Sequence, residues 1–403
     1  MTAHTSRPSD TYSPLYFLAS LGAGGLAVTF FMWLLHWLPH PGQPVPVFED
    51  IAAAFTSGTM LVQGMILVAA LAIAVFGFLN LKLLVWNLRR FAEWSKTEGH
   101  AKFMKTNAQT QVMAMPLALA MSVNVLFIFG MVFVPGLWSV VEYLFLLAML
   151  TFIGIGIHAF RLYGAFLGRV LVDGGFNCAA NNNFGQVLPA FAFAMVGVGL
   201  AAPAAMSTTP ALAATGLVLS SFFFMTSALI AIVAVVLGMR SMMENGANAE
   251  TAPTLSIIVP LLAVLGILSL RQSHGLHEHF GAADLAGERM VQLAQYLSVQ
   301  VLFLLFAGLI LIRQGYARRF IFGRETSPGS YALVCPGVGF AVLVQFFVNK
   351  GLVDAGLIMK FGTAYWVLTA VALVSQALMI ALVVHLNRRH FGAPKSAMAV
   401  PAE

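Results

Sequence analysis

The sequence predicts an all-α, polytopic membrane protein with ten transmembrane helices. Of its 403 residues, 60% are hydrophobic and only 9% are charged, whereas soluble domains carry roughly 25% charged residues. A helix needs roughly 20 apolar residues to cross the hydrocarbon core of a bilayer, and ten runs of about this length occur. These runs lack the polar–apolar alternation of a membrane barrel strand, so helices are predicted.

One transmembrane domain is predicted over residues 15–390, between short polar tails at 1–14 and 391–403. The first apolar run is too long for the core of a cleavable signal peptide, so it is assigned to the first span. The ten spans are predicted at 15–38, 55–82, 110–134, 138–164, 186–206, 212–239, 254–270, 291–313, 331–349 and 362–386.

Basic residues set the predicted orientation. Of the 21 lysines and arginines, all but Arg271, Arg289, Lys350 and Lys360 fall on the same side as the N-terminus. Such an excess marks the cytoplasmic side, so both termini are predicted to be cytoplasmic. The same rule explains the net charge of +6, which is assigned to topology and not to nucleic-acid binding.

The sequence offers little support for a catalytic or metal site. Cys178 and Cys335 are far apart and give no disulfide framework, and no nucleophile motif, phosphate loop or HExxH zinc pattern occurs. The segment HGLHEH at 274–279 is read as an exposed outer loop, with transition-metal binding as the alternative. The chain is therefore predicted not to be an enzyme, and no cofactor or metal is assigned to it.

Proline placement predicts which helices line the interior. Pro116, Pro189, Pro260 and Pro336 fall in the third, fifth, seventh and ninth spans, and glycines that include Gly22 mark the first. Proline removes a backbone hydrogen bond and bends a helix, and the freed carbonyl then needs a neighbour or cavity water. Alternation over ten spans predicts five helical hairpins, with bent odd-numbered helices around a central pore.

Three segments resemble a known family. LYFLASLGAGGLA in the first span, QVLPAFAFAM in the fifth and YALVCPGVGF in the ninth occur in the order of the tellurite-resistance and dicarboxylate transporter family. That family includes bacterial TehA-like channels, the slow-type anion channels of guard cells, and yeast malate and sulfite transporters. The resemblance covers residues 15–390 and implies five hairpins in a quasi-fivefold arrangement, an anion pore, a homotrimer and a bacterial inner membrane.

The resemblance also implies a phenylalanine of the ninth span that closes the pore just before Pro336. This sequence has Cys335 there. Either the gate differs, or the pore is wider, or the register of the comparison is shifted. Phe191, two residues after Pro189, is the alternative candidate for the constriction.

The predicted function is an anion channel or transporter for small monovalent or organic anions. Few ionisable residues fall in the middle of the predicted spans, so basic rims and helix dipoles are expected to favour anions. The alternative within transport is a proton-coupled carrier for dicarboxylate, sulfite or tellurite-type anions, which would be expected to place an ionisable residue mid-membrane. A second alternative is the membrane subunit of a redox complex, with haem held by histidines such as His36, His158 and His385.

Overall fold

The computed structural model describes residues 12–391 and is all-α over that range. Ten of its helices are long and apolar enough to cross a membrane, which supports a multi-pass membrane protein. The predicted tails lie outside the described residues except at 12–14 and 391, and Tyr12 is already buried. The twelve α-helices are α1 Phe17–Trp37, α2 Phe48–Ser57, α3 Met60–Trp94, α4 Glu98–Phe103, α5 Ala114–Phe133, α6 Val141–Gly168, α7 Leu188–Met206, α8 Pro210–Asn245, α9 Ile258–Phe280, α10 Ala286–Arg313, α11 Val334–Phe346 and α12 Thr363–His390.

Two helices are longer than the sequence indicated. Helix α3 continues through Arg89 and Arg90 to Trp94, whereas the second span was predicted to end at residue 82. Helix α9 continues to Phe280, so the segment 274–279, predicted to be a loop, is helical. The prediction was wrong at both places because polar residues mark where a helix leaves the apolar layer, and a helix can continue beyond that point.

Burial divides the spans into two sets. In the odd-numbered spans, built on α1, α5, α7, α9 and α11, between 61% and 94% of the most apolar stretch is buried. In the even-numbered spans, built on α3, α6, α8, α10 and α12, the corresponding share is between 11% and 39%. We call these sets the inner and outer helices. The outer helices expose leucine, valine and phenylalanine, as lipid-facing surfaces do.

The inner helices contact one another in chain order. Helix α1 packs against α5, α5 against α7, α7 against α9, α9 against α11, and α11 returns to α1. Each outer helix also packs against the inner helix that precedes it in the chain. All inner helices start at the same end of the molecule, where Tyr16 lies 3.1 Å from His390. We call this end the terminal face and the opposite end the distal face.

The four prolines lie at the beginnings of their α-helices. A 3₁₀ segment precedes each inner helix, and Pro116, Pro189, Pro260 and Pro336 all fall in the first α-helical turn that follows. The five segments are Pro14–Tyr16, Asn107–Met113, Gly185–Val187, Ala252–Ser256 and Pro328–Leu333. These prolines were predicted to bend the inner helices. In the structure they lie near the helix starts, where proline removes an N–H group that needs no partner within the helix.

Polar side chains of the outer helices bind the backbone of the inner ones. Ser227 Oγ donates to the carbonyl of Ala190, and Gln300 Nε2 donates to the carbonyl of Val259. Ser375 and Asn80 make equivalent bonds, to the carbonyls of Gly337 and Ser20. Except for Ser20, each residue whose carbonyl accepts such a bond is adjacent in sequence to one of the four prolines. Four outer helices are therefore held to their inner partners at similar levels.

Glycines allow the inner helices to approach closely. A Cβ atom on Gly25 of α1 would lie 2.7 Å from a methyl group of Val338 on α11. A Cβ atom on Gly339 of α11 would lie 2.8 Å from the Cα atom of Pro260 on α9. Real Cβ atoms do not approach other heavy atoms this closely, so these seams between inner helices depend on glycine.

Candidate functional site

A cavity of about 580 Å³ lies between the inner helices. All five inner helices line it, together with part of α6 and the distal loop that contains His40 and Gln43. The 3₁₀ segments of the described chain do not line it. The cavity therefore extends from the distal loops inward and ends short of the terminal face.

Four of the seven pore residues predicted from the sequence line this cavity. Gly22, Phe191, Pro260 and Cys335 lie at its inner end, each near the start of its α-helix. Phe191 and Cys335 are largely buried, with 3% and 7% of their surface exposed. We call these four residues the floor of the cavity.

The other three predicted pore residues lie behind the floor. Pro116, Pro189 and Pro336 are buried, and none of them lines the cavity. Their position in the first helical turn explains why: they shape the start of each inner helix, and residues farther along present their side chains to the cavity.

One face of α9 forms a continuous wall from floor to mouth. Its cavity-lining residues are Pro260, Ala263, Val264, Ile267, Leu270, Arg271 and His274. These positions recur at intervals of three and four, the repeat of a single helix face. The wall is apolar up to Leu270 and becomes cationic at Arg271.

Arg271 is held by the backbone of the neighbouring inner helix. Its Nη1 donates to the carbonyl oxygen of Val198 on α7 at 2.6 Å. Next to this acceptor, the interior proline Pro203 cannot donate to the carbonyl of Gly199, so α7 lacks one backbone bond at this level. Arg271 lines the cavity, and no carboxylate of the described residues forms an ion pair with it.

The other charges of the cavity lie at its mouth and neutralise one another in part. Arg289 contacts the carboxylates of both Asp284 and Asp354, the latter at 3.1 Å. Lys350 lies 3.8 Å from the same Asp354. These two basic and two acidic side chains balance formally, so the guanidinium of Arg271 is left as the uncompensated charge of the lining.

Asn124 of α5 supplies a polar group in the wall between floor and mouth. Its Nδ2 lies 3.6 Å from the sulfur of Met195 on α7, and both residues line the cavity. A thioether is a weak acceptor, so the amide retains donor capacity toward the cavity.

Sequence reasoning missed Arg271, because the seventh span was ended at residue 270 and the arginine was assigned to an outside loop. The signal that could have found it is periodicity, since Arg271 follows Val264 and Ile267 at helical spacing. Two of the three histidines at 274–279 bind backbone carbonyls. His277 Nδ1 lies 2.8 Å from the oxygen of Ala282, and His279 Nε2 lies 2.9 Å from that of Ser207.

No cluster of three or more possible metal-ligating side chains occurs within residues 12–391. Apart from the paired charges and the histidines near its mouth, the cavity is lined by the guanidinium of Arg271 and the amide of Asn124, which are donors that suit an anionic ligand.

Comparison with known proteins adds no functional evidence. No protein-family model matches this chain, and a search of curated proteins finds no match to it. The chemistry of the cavity is therefore the basis for any functional assignment.

Proposed function

We propose that this protein is an anion channel or transporter whose conduit runs between the five inner helices. The observation that carries the proposal is Arg271, an arginine on the wall of a central cavity with no carboxylate partner among the described residues. Arginine stays protonated in proteins, so the cavity carries a permanent positive charge.

The surroundings of Arg271 strengthen its attraction for anions. Charges interact more strongly where the effective dielectric constant is low than in bulk water, and the wall below Arg271 is apolar. A cation in the cavity would meet repulsion from Arg271, and no acidic side chain lies deeper than the mouth among the lining residues. An anion is therefore the favoured occupant.

The proposed conduit has a constriction at the floor of the cavity. Phe191 and Cys335 lie where the cavity ends, and the 3₁₀ segments lie between them and the terminal face. We assign the gate to this level, with the phenylalanine supplied by α7 in place of the one that the family resemblance would put on α11.

The finer architecture belongs to the same proposal. The order of contacts among inner helices and the bonds from outer to inner helices support five hairpins in a quasi-fivefold arrangement. The distribution of basic residues supports cytoplasmic termini. A homotrimer and a bacterial inner membrane follow from the resemblance alone. The resemblance also implies tellurite and dicarboxylate as permeant anions, which the lining of the cavity does not itself indicate.

Reversal potentials of the full chain reconstituted in planar bilayers test the proposal. In a potassium chloride gradient the reversal potential should lie near that of chloride, and Arg271→Met should reduce the anion current. Arg240→Met is the matched control, because Arg240 is an exposed arginine of α8. Cation selectivity, or equal currents in Arg271→Met and the unmodified protein, would refute the proposal. Repeating the measurement in a pH gradient distinguishes proton coupling from simple anion flux.

A further inference from the structure

We propose that the cavity binds organic monoanions with an elongated apolar body, the carboxylate at Arg271 and the body extending toward the floor. The inference rests on the proposed function and narrows its substrate class. The proposed ligands differ from the dicarboxylates or small inorganic anions that a differently lined cavity would bind.

The first argument is the distribution of polarity along α9. Four successive lining positions above the proline, Ala263, Val264, Ile267 and Leu270, are apolar, and Arg271 follows them directly. With a rise of 1.5 Å per residue, the eleven steps from Pro260 to Arg271 span about 16.5 Å. A ligand bound along this wall meets one charged end and a long apolar stretch.

The second argument is that the other inner helices also present apolar side chains to the cavity. Phe31 and Met32 of α1, Ile128 of α5, Met195 of α7 and Val342 of α11 all line it. Apolar contact stabilises a ligand by about 25 cal/mol per Å² of surface removed from water. A hydrated inorganic ion would gain nothing from this lining and would lose part of its hydration.

The third argument is charge number. The basic and acidic groups of the mouth pair with one another, so Arg271 alone remains to balance a ligand. A second carboxylate at the far end of a ligand would lie among the apolar residues near the floor. Burying an unpaired carboxylate is strongly unfavourable, so the cavity discriminates against dianions of the same length.

The size of the cavity agrees with an organic ligand. Pockets for small organic molecules have volumes of roughly 300–1,000 Å³ and are mostly apolar with a few placed polar groups. The cavity volume of about 580 Å³ falls within this range. Methionines, including Met32, Met121 and Met195, supply flexible side chains that adapt to different apolar bodies.

The test is calorimetric titration of the full chain in lipid nanodiscs, with empty nanodiscs as the blank for partitioning into lipid. Three ligands of matched length separate the contributions: octanoate, octanedioate and octylammonium. Octanoate should bind at least about tenfold more tightly than either of the others, which corresponds to about 1.4 kcal/mol. Equal binding of octanoate and octanedioate would overturn the inference.

Two variants locate the apolar contact. Val264→Thr is nearly isosteric, and Ile267→Asn introduces an amide into the same wall. Both substitutions should weaken octanoate binding severalfold. Unchanged octanoate affinity in both variants would overturn the inference. Thermal unfolding of each variant shows that the fold is retained.

The outcomes also separate this inference from the proposed function. If chloride current depends on Arg271 and octanoate does not bind, the anion conduit stands and the substrate class is wrong. If octanoate and octylammonium bind equally and Arg271→Met changes neither, Arg271 does not recognise anions, and the proposed function fails with the inference.

Discussion

Asn80 of α3 and Ser20 of α1 are joined by hydrogen bonds in both directions. Asn80 Nδ2 donates to the Ser20 carbonyl at 2.8 Å and lies 3.1 Å from its Oγ. Ser20 Oγ in turn donates to the Asn80 carbonyl at 2.8 Å. Ser122 of α5 adds a bond of 2.9 Å to Asn80 Oδ1. One asparagine of an outer helix thus links two neighbouring inner helices.

The substitution Asn80→Leu should lower the free energy of unfolding by about 1–2 kcal/mol. Single interhelical hydrogen bonds in membranes average about 0.6 kcal/mol, and this substitution removes three side-chain bonds and crowds a fully buried site. The measurement is reversible unfolding in mixed detergent micelles, followed by far-ultraviolet circular dichroism.

Thr215→Ala is the matched control for this prediction. Thr215 is exposed on α8, and its hydroxyl donates to the carbonyl of Ala211 of its own helix. Its loss should leave the free energy of unfolding unchanged within about 0.5 kcal/mol. Equal destabilisation by both substitutions would contradict a linking role for Asn80.

Gly339→Ala should destabilise the contact between α9 and α11. The added methyl would meet the backbone of Pro260 at 2.8 Å, where no side chain can rotate away. Overpacking of this kind costs typically about 1–3 kcal/mol, and the melting temperature of the purified protein should fall accordingly. Gly308→Ala on α10 is the control, because a Cβ atom there meets nothing within 4 Å. An equal loss of stability in both variants would show that packing at Gly339 is not the cause.

Cys335→Phe should reduce anion flux, whereas Cys335→Ala should not. Cys335 lies in the floor of the cavity beside Pro336, and a phenyl ring there would fill the end of the proposed conduit. A tenfold loss of flux corresponds to a barrier increase of about 1.4 kcal/mol. Radiolabelled anion uptake into proteoliposomes measures the effect. Cys178→Phe, at the exposed cysteine, controls for the added ring, and full flux in Cys335→Phe would remove Cys335 from the conduit.

Alkaline pH should slow anion uptake from the distal side. Burial lowers the pKa of Lys360, the nearby ammonium of Lys350 lowers it further, and Asp354 opposes them. As pH rises through this lowered pKa, Lys360 loses its charge earlier than an ordinary lysine, and the positive potential near the mouth decreases. Uptake rates measured across the alkaline range should therefore fall. In Lys360→Arg the uptake rate should not change over the same pH range. If the uptake rate of this variant falls with pH as it does in the unmodified protein, the effect belongs to another group.

The ten spans were predictable from composition and run length, because the energy that defines them is local to each apolar segment. The alternation of inner and outer helices was predictable for a related reason. Residues near Pro189 and Pro260 are small or apolar on all faces, as a helix buried on all sides requires. The odd-numbered spans are the more buried ones, and the four prolines that were predicted to bend them lie in the first turns of their α-helices.

The same reasoning could not identify Arg271 as a residue of the cavity. Hydropathy placed it after the end of a span, and its meaning depends on Val198, 73 residues earlier in the chain. The pairing of Arg289 with Asp354 is equally non-local, because the two residues are 65 positions apart in the chain. Only the three-dimensional arrangement shows which of these cations keeps a free charge.

The glycine seams between inner helices determine the route by which a ligand reaches Arg271. At Gly25 helix α1 packs directly on Val338 of α11, and at Gly339 helix α11 packs directly on the backbone of Pro260 of α9. A fatty or aromatic anion dissolved in the bilayer therefore finds no lateral opening at these two seams. The mouth beside Arg289, Lys350 and Asp354 is the side from which an anion in water reaches Arg271.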